Sequence, residues 1–313
     1  MTATTIIEMA PAKVNLFLRI CGRRDDGYHL LDSVVIFTAF GDQISLTPAS
    51  TNSLTVTGAF ATILSHDLDH DRDTPDGNVV QNLSSSNICM QALNAFRHAG
   101  GVIAPLNITL DKRIPVGAGL GGGSADAGAL LRALNAHADT PVTTETLHAI
   151  AASLGADVPA CLRAHSLRMT GIGDQISPLT LSATKRPDAN ILLANSLIPL
   201  ATKNVFATLH SNIQEQGQDQ RPEQDRGHAG DISQLSATAL VGLGNDLAET
   251  AIKLVPEIAT LLTLLRQQRG CQIAAMSGSG ASCFALFDSA KTCKQAETVL
   301  GKSGIWAEAT HII

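Results

Sequence analysis

Apolar positions in the first part of the chain recur at the spacing of β-strands. Residues 5–20 alternate and then become continuously apolar, a pattern typical of a strand that enters a core. A second strand is predicted over 33–40, and Gly41-Asp42-Gln43 predicts a hairpin turn into a third at 44–46. Residues 106–110 alternate in the same way, so a further strand is predicted there.

Helical patterns follow in other parts of the chain. Asn87 is predicted to begin a helix, and residues 125–136 form an alanine- and leucine-rich run of strong helix formers. Residues 143–154 predict a third helix, because threonines stand at its start and a glycine follows its end. One more helix is predicted over 247–269, before a second glycine turn at 277–282 and a strand.

Two polar stretches, at about 60–80 and at 211–234, interrupt these patterns and are predicted to be insertions. The first contains the run Ser65–Asp73, in which His and Asp side chains could ligate a metal. No helical pattern fixes the geometry of those side chains, so a solvated acidic loop is the favoured interpretation.

Composition narrows the class of protein. A length of 313 residues suggests two domains. A net charge of −6 and an aromatic content of 3% argue against a nucleic-acid partner. No apolar run reaches the length of a membrane helix, and the N-terminus does not resemble a signal peptide. The six cysteines form no C-x-x-C pair, which favours reduced thiols and a cytoplasmic location.

The strongest chemical signal is the glycine stretch, which we define as Gly117–Gly123 and which contains five glycines. Glycine adopts positive φ without a Cβ clash and lets a ligand approach the backbone. The predicted helix at 125–136 adds unpaired N–H groups and the positive end of its dipole. We therefore predict phosphate binding rather than a flexible linker, because linkers lack an attached apolar helix.

The residues on either side of the glycine stretch indicate which type of phosphate-binding loop it is. A P-loop needs a lysine before the Ser or Thr, but Gly123 precedes Ser124, which excludes that interpretation. The spacing of the glycines does match a dinucleotide-binding fingerprint, with Asp139 as a candidate ribose ligand. The segment 111–115 before the glycines is not an apolar strand, so this match is weak evidence.

Several polar side chains have both a structural and a functional interpretation. Lys13 is either an edge-strand charge with its head in solvent or a cation directed at a phosphate. Asp157 follows a helix-ending glycine and is either a helix N-cap or a functional carboxylate. Tyr28 and His29 follow a glycine-bounded turn and either stack on a flat ligand or begin a strand.

Three segments considered together resemble the motifs of the GHMP small-molecule kinases. These segments are Pro11–Leu16, Pro115–Ala125 and Met276–Ala281. Residues 25–29, 111–115 and 154–159 are further similar to the branch that phosphorylates 4-diphosphocytidyl-2-C-methyl-D-erythritol. The resemblance covers nearly the whole chain except the two insertions.

The resemblance implies an α+β fold with two domains. Residues 1–166 would form an N-terminal ATP-binding domain like domain 2 of ribosomal protein S5, and residues 167–313 a ferredoxin-like C-terminal domain. It also implies a site in the cleft between them. The implied substrates are ATP, as its Mg²⁺ complex, and 4-diphosphocytidyl-2-C-methyl-D-erythritol, whose 2-hydroxyl receives the phosphoryl group.

The resemblance assigns roles to individual residues. Asp157 would be the base and Lys13 its charged partner. The ATP-binding set would be Asn87, Lys112, Pro115, Val116, Gly117, Ala118, Gly119, Leu120, Gly121, Gly122, Gly123, Ser124 and Ala125. The substrate-binding set would be Asn15, Tyr28, His29, Asp157, Thr202 and Phe206.

Three rival functions remain open at this point. Another GHMP kinase, for homoserine, mevalonate or galactose, would share the glycine stretch but would not need the Tyr28-His29 pair. A GHMP-fold regulator without turnover is disfavoured because both Lys13 and Asp157 are present. A dinucleotide-binding oxidoreductase is the third.

Overall fold

The computed structural model describes residues 5–62, 79–81, 87–179, 190–215 and 228–313. The predicted acidic loop Ser65–Asp73 and the central part of the second predicted insertion lie outside these ranges. The described residues form two compact units. Unit 1 contains those within 1–12, 41–116 and 121–164, and unit 2 those within 13–40, 117–120 and 165–313. The units do not follow one cut along the chain, and a domain boundary at 166 stays a prediction.

Two long strands, β1 (Ile6–Arg23) and β2 (His29–Pro48), pass from one unit into the other and pair with each other. The strands predicted over 5–20 and 33–40 are confirmed. The hairpin turn predicted at Gly41-Asp42-Gln43 is wrong, because β2 continues straight through these residues. Gly41 is needed for packing instead, since a Cβ there would lie 2.2 Å from the carbonyl oxygen of Ala10.

Unit 1 continues the end of β2 into a sheet of order β4-β3-β5-β2. Its other strands are β3 (Ser53–Thr57), β4 (Val79–Gln81) and β5 (Leu106–Asp111). β5 pairs antiparallel with β2, from Gln43 opposite Asp111 to Pro48 opposite Leu106. β3 pairs in parallel with β5, so a parallel step lies within a largely antiparallel sheet.

The helices of unit 1 are α1 (Ile88–His98), α2 (Gly122–His137), α3 (Thr144–Leu154) and α4 (Val158–Arg163). The helix predicted to begin at Asn87 is confirmed, and of the threonines at the start of the next predicted helix Thr143 is the N-cap. Each of these two side chains accepts a backbone N–H in the first turn of its helix. α2 begins at Gly122, three residues earlier than predicted. It packs closely on α4, since a Cβ on Gly128 would lie 2.7 Å from the backbone of Cys161.

Unit 2 contains a second, four-stranded sheet of order β11-β8-β10-β9, with all neighbours antiparallel. Its strands are β8 (Asn190–Asn195), β9 (Cys271–Met276), β10 (Cys283–Phe287) and β11 (Trp306–His311). β6 (Leu167–Gly171) and β7 (Gln175–Pro178) extend the first half of β2 within the same unit, from Leu31 opposite Gly171 to Val35 opposite Leu167.

The helices of unit 2 are α5 (Thr202–Glu215), α6 (Ala237–Val241), α7 (Ala248–Leu254), α8 (Glu257–Arg266) and α9 (Ala290–Lys302). α5 extends into the stretch that was predicted as an insertion. The single helix predicted over 247–269 is wrong. It breaks before Pro256, because proline lacks an N–H and disfavours helical geometry at the preceding residue.

One buried cluster of apolar side chains joins this second sheet to its helices. It includes Leu192 of β8, Phe287 of β10, Ile258 and Leu265 of α8 and Leu300 of α9. The α+β class is confirmed. Within the described ranges, no helix is both long enough and apolar enough to cross a membrane.

Candidate active site

The three sequence motifs meet within unit 2. Hydrogen bonds join three segments here: β1, the first part of the glycine stretch and the turn at 277–282. Two of these bonds are between backbone groups, and the Ser277 hydroxyl accepts one more and donates another. The bonds run from Lys13 N to Leu120 O (2.9 Å), Ser282 N to Ala118 O (3.1 Å), Asn15 N to Ser277 Oγ (3.2 Å) and Ser277 Oγ to Gly119 O (3.5 Å). Segments more than 100 residues apart in the chain therefore form one connected set.

The glycines at 117 and 119 are needed for their backbone conformation. Gly117 has φ +70° and Gly119 has φ +75°, values that L residues with a Cβ rarely adopt. The two positions differ in their surroundings. A Cβ on Gly119 would lie 2.3 Å from the carbonyl oxygen of Gly280, whereas a Cβ on Gly117 would meet no protein atom within 4 Å.

Lys13 and Asn15 are buried on β1, with 5% and 4% of their surface exposed. The interpretation of Lys13 as a solvent-exposed edge charge is therefore wrong. Its ammonium donates to Asn15 Oδ1 (3.4 Å), and Asn15 Nδ2 donates to Ser33 Oγ (2.7 Å). Ser33 Oγ in turn donates to the carbonyl oxygen of Phe17 at 2.6 Å. This chain of bonds fixes the orientation of the Asn15 amide.

Polar contacts also fix the turn at 277–282. Asn245 Nδ2 donates to the carbonyl oxygens of Met276 (3.0 Å) and Gly278 (2.8 Å). The Thr202 and Ser279 hydroxyls lie 2.8 Å apart, so α5 contacts the turn through a predicted site residue. The contacts of Asn245 and Ser33 were not predicted, because a single polar side chain carries no pattern that identifies its partner.

The predicted aromatic residues separate into a stacked pair and an exposed ring. His29 and Phe206 stack with centroids 5.2 Å apart and an interplanar angle of 29°. Tyr28 is 61% exposed. Both rings of the pair belong to unit 2, where β2 begins beside α5. The outer face of a stacked imidazole and phenyl pair can stack with a third flat ring.

The remaining predicted site residues lie in unit 1. Gly121 has φ +66° and precedes α2, whose N-terminus has no side-chain cap. The first N–H groups of α2 are therefore free of a capping side chain, as an anion site at a helix N-terminus requires. Gly122, Gly123 and Ser124 form this first turn, and Gly123 is exposed.

Lys112 is buried between two carboxylates of unit 1. Its Nζ lies 2.5 Å from Asp42 Oδ2 and 2.6 Å from Asp126 Oδ2. Burial by itself would lower the pKa of Lys112, but the two carboxylates outweigh burial and raise that pKa. Burial, together with the neighbouring Asp42, raises the pKa of Asp126 to about 8 although Lys112 opposes the shift. That Lys112 contacts ATP stays a prediction.

Asp157 occupies the N-cap position of α4 but makes no capping hydrogen bond. The N-cap interpretation therefore accounts for the position of Asp157 before the helix, but its carboxylate does not cap that helix. Asp157 belongs to unit 1 and Lys13 to unit 2. Their pairing stays a prediction. In the part of the chain that the structure describes, no group of three or more His, Cys, Asp or Glu residues could bind a metal ion.

Comparison with known proteins identifies the class. The chain matches family models for the GHMP kinases N terminal domain over residues 87–165 and for the GHMP kinases C terminal region over residues 225–304. It is 38% identical to a protein of Paramagnetospirillum magneticum over 93% of this chain and 92% of the relative. A protein of Agrobacterium fabrum is also 38% identical, over 99% and 97%. The chain therefore belongs to the GHMP kinases.

The relatives also have a particular name. Both of these proteins are named 4-diphosphocytidyl-2-C-methyl-D-erythritol kinase. The crystal structure of a 4-(cytidine 5'-diphospho)-2C-methyl-D-erythritol kinase is 28% identical, with a TM-score of 0.74 over 98% of this chain and 99% of the other. A mevalonate kinase structure, 13% identical with a TM-score of 0.60, shares the fold. The resemblance stated from the sequence motifs is confirmed.

Proposed function

We propose that the chain transfers the γ-phosphoryl group of ATP to the 2-hydroxyl of 4-diphosphocytidyl-2-C-methyl-D-erythritol. The products are the 2-phosphate and ADP, in the non-mevalonate route to isoprenoids. The observation that carries this proposal is the hydrogen-bonded junction of the three motifs around Asn15, Gly119 and Ser277. The names and the coverage of the relatives support the choice of acceptor.

In this proposal Asp157 takes the proton of the acceptor hydroxyl as the phosphoryl group arrives. A carboxylate suits this role because phosphoryl transfer needs positioning, charge neutralisation and a base more than covalent chemistry. Lys13 would keep Asp157 ionised and offset the charge on the acceptor oxygen. The burial of Lys13 and its bond to Asn15 support a fixed ammonium rather than a mobile surface charge.

The phosphates of ATP would lie against the segment Pro115–Ala125, where three left-handed glycines precede the uncapped N-terminus of α2. Asn87 and Lys112 would lie on the adenine side. ATP arrives with Mg²⁺ as its substrate complex, so the ion is part of the substrate rather than a resident cofactor.

The acceptor would be recognised at its two ends. His29 and Phe206 would extend their stack onto the cytosine ring, with Tyr28 beside them. Asn15 and Thr202 would contact the methylerythritol part, because each places a polar group in the hydrogen-bonded junction of the motifs. We propose a cytoplasmic location and no nucleic-acid partner, from the scattered cysteines and the net charge of −6.

The proposal is tested by coupled ADP release with four acceptors: the cytidyl substrate, homoserine, mevalonate and galactose. We expect turnover only with the cytidyl substrate. Turnover with another acceptor would identify a different GHMP kinase, and nucleotide binding without turnover on any of them would identify a regulator. Competition of ATP binding by NAD would favour the oxidoreductase.

A further inference from the structure

One ammonium connects three separate segments of unit 1. Lys112 Nζ bonds both Asp42 on β2 and Asp126 on α2. The second carboxylate oxygen of Asp42 accepts the backbone N–H groups of Arg113 (2.6 Å) and Ile114 (2.7 Å). Asp42 therefore binds both the Lys112 ammonium and the backbone of the two residues that follow Lys112 in the chain.

These contacts lie at both ends of the glycine stretch. Residues 112–114 lead into it, and Gly122 and Asp126 are on the helix that leaves it. Lys112 also lies directly beside Gly122, because a Cβ on Gly122 would be 3.1 Å from Nζ and 3.3 Å from Ile114 Cγ2. One buried lysine therefore links the segment that leads into the stretch to the helix that leaves it.

The charges of this cluster do not cancel when both carboxylates are ionised. Lys112, Asp42 and Asp126 are each at most 3% exposed. Asp126 Oδ1 has no hydrogen-bond partner among the described residues. The single ammonium of Lys112 compensates only one of the two buried carboxylate charges, and Asp126 accepts its hydrogen bond through one oxygen alone, so the neutral form of Asp126 is favoured. Burial raises the pKa of Asp126 to about 8, with Asp42 adding to the rise.

The other titratable group beside the cluster is the Cys89 thiol of α1. Burial raises its pKa well above the usual value, and Asp126 and Asp42 add to this rise while Lys112 opposes it. Cys89 therefore remains neutral in the pH range where Asp126 changes charge. Below about pH 8 the cluster is close to neutral, and above it the cluster becomes negative.

We propose that Lys112, Asp42 and Asp126 act as a positioning triad that holds the two ends of the glycine stretch at the separation that ATP phosphates require, and that ionisation of Asp126 weakens ATP binding. The triad residues position the loop and need not touch the transferred phosphoryl group. This inference rests on the proposed ATP-dependent function.

The test is calorimetric titration of Mg·ATP into the full chain at pH 7.0 and pH 9.5. The wild type is compared with Asp126→Asn, which keeps the shape of the side chain and removes its charge. Asp111→Asn is the matched control, because Asp111 is the neighbour of Lys112 and its carboxylate pairs with Arg113 near the surface. The terminal phosphate of ATP, like other phosphate esters with a second pKa of about 6, is already ionised at both pH values.

We expect the wild-type Kd for ATP to rise roughly 3- to 10-fold between the two pH values, because one added charge near the phosphates is worth about 1 kcal/mol through a partly polar medium. The Kd of Asp126→Asn should change less than about 2-fold over the same range, and Asp111→Asn should follow the wild type. Lys112→Met should weaken ATP binding at pH 7.0 by about 10-fold, which corresponds to about 1.4 kcal/mol.

An equal rise in Kd for the wild type and Asp126→Asn, or no rise in the wild type, would overturn the proposal. If Lys112→Met does not fold, the comparison of Asp126→Asn with the wild type decides alone. The readout is independent of the acceptor. A chain that has this pH response but does not phosphorylate the cytidyl substrate would refute the proposed function and support the triad.

Discussion

The close approach of Gly119 to Gly280 allows a matched pair of substitutions, Gly119→Ala and Gly117→Ala. Both replace a glycine with φ near +70°, so both incur the left-handed strain of an L residue, about 1–2 kcal/mol. Only at Gly119 does the new Cβ also meet backbone, 2.3 Å from the oxygen of Gly280. Forced overpacking of this kind costs a further 1–3 kcal/mol or so.

We therefore expect Gly119→Ala to lower the free energy of unfolding by roughly 2–5 kcal/mol, and Gly117→Ala by only about 1–2 kcal/mol. Denaturant titration followed by circular dichroism measures both values. ATP affinity, measured in parallel, should fall in both variants, since the open space beside Gly117 is where the phosphates are proposed to lie. An equal decrease in unfolding free energy for the two variants would refute the reasoning. The clash with Gly280 would then cost nothing beyond the left-handed strain that both variants share.

Three further predictions concern the proposed site. His29→Ala should raise KM for the cytidyl substrate by roughly 5- to 10-fold, since an aromatic contact is worth about 1 kcal/mol, and should leave KM for ATP unchanged. A change in KM for ATP alone would show that the ATP pocket and the cytidyl pocket have been assigned the wrong way round. Asp157→Asn should lower kcat by about 100-fold or more with both substrates still bound, and the double variant with Lys13→Ala should be little worse; near-normal kcat would exclude a base. Because the folded-state pKa of Asp126, about 8, lies above its ordinary value of 3.8, the stability it contributes is present at low pH and is lost as pH rises towards 8. Melting temperatures from pH 5 to 9 should therefore fall more steeply for the wild type than for Asp126→Asn, and parallel curves would contradict this.

Local signals in the sequence were sufficient for most helices and strands. Asn87, Thr143 and Gly155 act within one turn of the helix they delimit, so their effect does not depend on distant parts of the chain. Pro256 was an equally local signal. It explains why the segment predicted as one helix over 247–269 forms two helices instead.

Gly41 shows where such reasoning fails. A glycine followed by an aspartate is typical of a turn, but in β2 the glycine allows close packing against Ala10 and the aspartate is buried. Both requirements come from residues that are distant in sequence. No pattern within a short window distinguishes a glycine needed for its φ from one needed for the absence of a Cβ.

The sequence by itself determined the class of this protein, because the three motifs have specific residue types at specific positions and the glycine stretch precedes a helix. Only the tertiary structure decided how the charged residues are used. Asp42 and Lys112 are 70 residues apart and Asp126 is 14 further on, yet they share one buried ammonium. Burial and charge compensation depend on which side chains meet in three dimensions, and therefore cannot be read from the spacing of residues along the chain.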